Sequence, residues 1–130
     1  MGISTTSYQE RFSMTTSTTT TSDIISSDKV EGTNVYNTAG DKLGSIDDLM
    51  IDKWSGQVRY AVLEFGGFLG MGTDRYPLPW SMLKYDKEKD GYVVPLDKAK
   101  LEKAPRYPKS DMPAYTPEYG TKVNGYYGIN

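Results

Sequence analysis

Asp52-Lys53-Trp54-Ser55-Gly56-Gln57-Val58-Arg59-Tyr60-Ala61-Val62-Leu63-Glu64-Phe65 is the stretch on which the fold turns. Lys53 to Gly56 has the composition of a tight turn, and it separates two runs of strand length, Leu43–Asp52 and Gln57–Phe65. The pair reads as a β-hairpin. In its return strand Val58, Tyr60 and Val62 share one face, while Ala61, Leu63 and Phe65 share the other. Both faces carry apolar side chains, so one lines an interior and the other is covered by a helix, a loop or a second subunit.

Outward from the hairpin the alternation continues. Upstream, Ser26 to Gly32 offers a capping Ser or Asp, one polar-apolar turn and a terminating glycine, which predicts a single helical turn. Thr33–Tyr36 then reads as a strand and Asn37–Lys42 as a turn. Downstream, Thr73–Leu78 is strand-like and is closed by Pro77 and Pro79 before Trp80. Lys84-Tyr85 and Tyr92-Val93-Val94 flank the charged turn Asp86–Gly91, which predicts a last hairpin. Asp97–Ala104, with an acidic cap, good helix formers and Pro105 just beyond, predicts a short helix.

The chain thus divides in three. Residues 1–22, of which 13 are Ser or Thr, have little apolar area to offset ordering entropy and read as a disordered leader. Residues 23–105 form one mostly β domain. Residues 106–130 hold Pro108, Pro113 and Pro117 without sustained periodicity and read as an extended or disordered tail. Its Tyr107, Tyr115, Tyr119, Tyr126 and Tyr127 are suited to docking on the domain or on a partner, since each ring brings apolar area with a polar handle.

Composition removes several function classes. The net charge is −2 with acids and bases interspersed, so the chain lacks the basic stripe that nucleic-acid phosphates demand. There is no cysteine and no histidine, which removes thiolate and imidazole nucleophile pairs and the usual soft metal ligands. An enzyme is not expected, and no catalytic, cofactor-binding or metal-ligating residue is assigned. No apolar run approaches the roughly 20 residues of a membrane span, and Met1–Thr6 lacks the features of a secretory signal, so the expected location is the cytoplasm.

Four segments carry a family resemblance: Val30-Glu31-Gly32-Thr33-Asn34-Val35-Tyr36, Gly40-Asp41-Lys42-Leu43-Gly44-Ser45-Ile46, Gly66-Gly67-Phe68-Leu69-Gly70-Met71-Gly72 and Leu78-Pro79-Trp80-Ser81-Met82-Leu83. In order and spacing the chain resembles the PRC-barrel family over about 80 residues. The resemblance implies a small β-barrel of about five to six strands with a short C-terminal helix. That family includes the cytoplasmic domain of the photosynthetic reaction-centre H subunit and the C-terminal domain of the ribosome-maturation factor, both binding roles. This chain looks like a stand-alone member, for which the resemblance implies a fold and a tendency to self-associate.

Within this frame a few residues invite two readings. The loop Gly66–Gly72 presents Phe68, Leu69 and Met71, either folded back as a plug or exposed as a contact surface. Trp54, in the hairpin turn, is either folded over the hairpin or exposed for a partner. Trp80 reads as a core anchor. Asp86, Glu88, Asp90 and Asp97 imitate a calcium loop, but strands flank them and Lys87 and Lys89 oppose a cation. Asp47 and Asp48 read as solvated acids or a β-bulge. The expected function is a non-catalytic protein-binding or scaffold module that self-associates as a homodimer, with Phe68, Leu69, Met71 and Trp54 as its candidate surface and no cofactor. The other reading, a small-ligand or ion-binding barrel, requires a polar-lined interior.

Overall fold

In the computed structural model the described residues are 23–66 and 73–129. A first turn of helix, α1 (Ser27–Val30), is capped by Ser26, whose hydroxyl accepts from the Asp28 amide, and it ends at Gly32, where φ is +88°. Strands β1 (Asn34–Asn37), β2 (Lys42–Ile51), β3 (Val58–Phe65) and β4 (Asp74–Pro79) follow as an antiparallel meander. A 3-10 turn at Trp80–Met82 leads into the hairpin of β5 (Lys84–Asp86) and β6 (Gly91–Val94). Helix α2 (Lys98–Glu102) is capped by the Asp97 carboxylate, which accepts from the Lys100 amide at 2.7 Å.

With a last short strand, β7 (Tyr107–Pro108), all the described strands join one sheet in the order β5-β6-β1-β2-β3-β4-β7, with β1 and β6 parallel. The described strands form a single seven-stranded sheet with β5 and β7 at its edges, which are not paired with each other, so the fold is mostly β as expected and its closure into a barrel is not shown. The inner face holds an apolar core built on Val35, Ile46, Ala61, Leu63, Leu78 and Leu101. Trp80 packs against it, with its ring 5.5 Å from that of Tyr92, as an anchor would.

A correction concerns residues 106–130. They were expected to be extended or disordered, yet the described part contains β7 (Tyr107–Pro108), paired with Asp74 and Arg75 of β4, and a ten-residue helix, α3 (Pro117–Tyr126). The physical reason lies in the β3 pattern. Val62 and Pro77, opposite one another in register, are buried outside the inner core, and Tyr107 and Val123 of the C-terminal segment are buried with them. The rings of Tyr60 and Tyr115 are 5.6 Å apart, so the second apolar face of β3 is covered by the chain's own C-terminal segment. Three prolines hid this helix from periodicity, although Pro117 is its first residue and the Thr116 hydroxyl caps it from the Tyr119 amide at 3.1 Å. The leader, residues 1–22, lies outside the described residues.

Candidate functional site

The β2–β3 turn is organised by one side chain. The Asp52 carboxylate accepts from the amides of Trp54 at 2.8 Å and Ser55 at 2.9 Å, and its second oxygen accepts from Arg59 at 2.7 Å. Gly56 completes the reversal at φ +78°. The amides of Ser55 and Trp54, and then the Arg59 guanidinium, hold the Asp52 carboxyl below its ordinary value, and burial opposes them only in part. A polar clamp thus fixes the turn from beneath. Its outward side chain, Trp54, is 97% exposed, and Ile51 beside it is 51% exposed. The Trp54 ring is therefore not folded over the hairpin.

Two elements make a groove beside this indole. On one side stand Met50, Ile51 and Trp54 of the hairpin; on the other, Tyr115, Thr116 and Pro117 lead into α3, and Tyr60 forms the floor. The groove encloses about 550 Å³. Tyr115 is locked by three neighbours: it packs on Tyr60, on Tyr119 at 5.1 Å between ring centroids, and shares a 2.7 Å hydroxyl bond with Tyr107. Burial pushes its phenol far above the usual range, and the Tyr107 hydroxyl bond adds to this. Gly120 lets α3 sit close to the floor of the groove, since a Cβ at that position would lie 3.0 Å from the Tyr60 hydroxyl and would push it aside. The groove is therefore preformed, amphipathic and aromatic, which suits recognition of another surface more than acid–base chemistry.

A larger cleft of about 720 Å³ lies between Lys103–Pro108 and α3. Its Arg106 is already occupied by Asp74 at 3.2 Å and by the carbonyls of Glu102 and Ala104, so this cleft reads as the seam that ties the C-terminal segment to β4.

The remaining sequence candidates fall as follows. Phe68, Leu69 and Met71 lie outside the described residues. Asp47 and Asp48 do not pair. The β2–β3 register shifts between Ile46 and Asp48, so Asp47 occupies a β-bulge and its carboxylate accepts from Arg75 Nε at 3.0 Å. Sequence reasoning missed Arg75, which is only 5% exposed; an arginine inside an otherwise apolar strand was the available signal, since such a charge demands a partner. In the calcium-like segment Asp86 accepts from the Glu88 and Lys89 amides, Asp90 from the Tyr85 hydroxyl, and Asp97 caps α2. Among the described residues no group of three or more acids is arranged to hold a metal ion. No helix among them is long and apolar enough to cross a membrane.

The family model for the PRC-barrel domain matches residues 22–101 of the chain. No curated protein matches it.

Proposed function

The chain belongs to the PRC-barrel family, and from that premise we propose that it is a non-catalytic, cytoplasmic binding module that associates with a second copy of itself and serves as a scaffold. The observation that carries this reading is Trp54. Leaving so large a ring in water forgoes roughly 2–3 kcal/mol of burial, and a clamp of three hydrogen bonds holds the turn that presents it. Rigid aromatic side chains of this kind are the usual anchors of protein interfaces. The inner face, which a small-ligand barrel would have to line with polar groups, is instead filled by Val35, Ile46, Ala61 and Leu63.

Sedimentation equilibrium of the full chain, from low micromolar to about 500 μM, tests the self-association. The expected result is a rise from 14.5 kDa toward twice that mass. A constant single-chain mass over the whole range would remove the reading.

A further inference from the structure

We propose that the cleft along the C-terminal seam is a binding site for a small phosphate-bearing anion, a role separate from self-association. The net charge of −2 conceals a local excess of the opposite sign. Residues 98–109 carry five of the chain's 15 Lys and Arg against a single acid, Glu102, and the fold brings Lys122 of α3 up beside them. Three cations line the cleft: Lys103 from the C-cap of α2, Arg106 from the loop before β7, and Lys122. Asp74 is the one acid in the lining, and Arg106 already engages it at 3.2 Å. Lys103 and Lys122 have no ion-pair partner among the described residues. The lining is thus cationic on a protein that is negative as a whole, and a cleft of that sign concentrates anions.

Arg106 makes the cleft more than a patch of charge. Its Nε is held by Asp74 and its Nη1 by the carbonyl oxygens of Glu102 and Ala104, whereas Nη2 has no acceptor among the described residues. The guanidinium plane is therefore fixed in advance, with donors left over on one nitrogen, and a donor fixed in advance loses little entropy on binding. Phosphate oxygens suit both kinds of cation here, the planar guanidinium and the point charge of an ammonium. Three converging cations also favour a group with two negative charges over a carboxylate with one, and a phosphate monoester carries close to two at neutral pH. Pro105, Tyr107 and Tyr126 give the cleft an apolar, ring-lined wall on which an organic ester can rest. Because Lys103 and Arg106 stand on one side of the seam and Lys122 on the other, a bound phosphate ties α3 to the loop before β7.

The test titrates the full chain with inorganic phosphate, phenyl phosphate and citrate at constant ionic strength, followed by calorimetry and by the thermal midpoint. Both phosphates are expected to bind saturably and to raise the midpoint, since a ligand of the folded state alone stabilises it. A tighter constant for phenyl phosphate supports an organic ester as the ligand, and equal constants support the free anion. Lys103→Gln and Lys122→Gln are each expected to weaken phosphate binding about tenfold, the loss of one charge-assisted contact. The control is Lys84→Gln with Lys87→Gln at the β5 edge, which removes two charges at the other end of the sheet order and is expected to leave binding unchanged. All four lysines are exposed, and far-ultraviolet circular dichroism of each variant matching wild type shows that folding is intact. No saturable binding of either phosphate, citrate binding as tightly as they do, or an equal loss in the β5-edge control would overturn the site. Binding confined to vesicles of anionic phospholipid, with none for the soluble phosphates, would overturn it as well.

Discussion

Two phenols make opposite demands on the C-terminal segment. The hydroxyls of Tyr119 and Tyr127 are buried without a hydrogen-bond partner, whereas those of Tyr107 and Tyr115 satisfy each other. An unmet buried hydroxyl costs about 1–3 kcal/mol, so Tyr119→Phe is expected to raise unfolding free energy by about 1 kcal/mol in urea denaturation. Tyr115→Phe, which strands the Tyr107 hydroxyl, is expected to lower it by a similar amount. Equal signs for the two would contradict this account. Asp52 gives a second residue-scale expectation. Its native carboxyl titrates below its ordinary value of 3.8, so the turn's contribution is complete above that pH and is lost as pH falls through the lowered midpoint. The Trp54 amide shift, followed by NMR, should therefore move with a midpoint under 3.8; a midpoint above it would mean that the amide bonds do not hold the carboxylate.

At the scale of elements, the β2–β3 contact is set by a glycine outside any turn. Any Cβ on Gly44 would run into the Glu64 carbonyl oxygen, with a Leu63 methyl 3.2 Å away, so Gly44→Ala is expected to cost about 3 kcal/mol, measured by the denaturation midpoint at unchanged slope. Helix α3 is similarly structural: Val123→Ala empties a fully buried site and should cost about 2 kcal/mol, whereas a loose tail would tolerate it freely. These elements also mark what the sequence made legible. Caps at Ser26 and Asp97, the hairpin turn and six of the strands followed from local chemistry, because turns and caps are written in neighbouring residues. Strand β7, helix α3 and the Arg75–Asp47 pair were not, because each depends on a contact between segments far apart in the chain. The two-faced apolar pattern of β3 did announce that something covers it. It could not say that the cover is residues 107–129. For the candidate site, Trp54 was visible as a misfit in a turn, while the wall formed by Tyr115 and Pro117 was invisible until α3 was placed.

For the molecule as a whole, burial raises the phenols of Tyr107, Tyr115, Tyr119 and Tyr127, that of Tyr119 up to about 12. All four lie in the C-terminal segment. Their unfolded counterparts ionise near pH 10, so the stability they contribute is whole below about pH 10 and declines as pH climbs toward the raised native values. Phenolate absorbance should therefore appear in two stages, the second coinciding with loss of near-ultraviolet circular dichroism; one smooth stage at about pH 10 would show these rings to be solvated. The sheet order carries a further consequence, for synthesis on the ribosome. The antiparallel neighbours β1 to β4 can pair as they emerge, but the other edge of β1 waits for β6, more than fifty residues later, to complete a parallel ladder. Until then a strand destined for the middle of the sheet presents an open row of amides and carbonyls, and the nascent chain passes through an interval of exposure to aggregation that the finished protein no longer has.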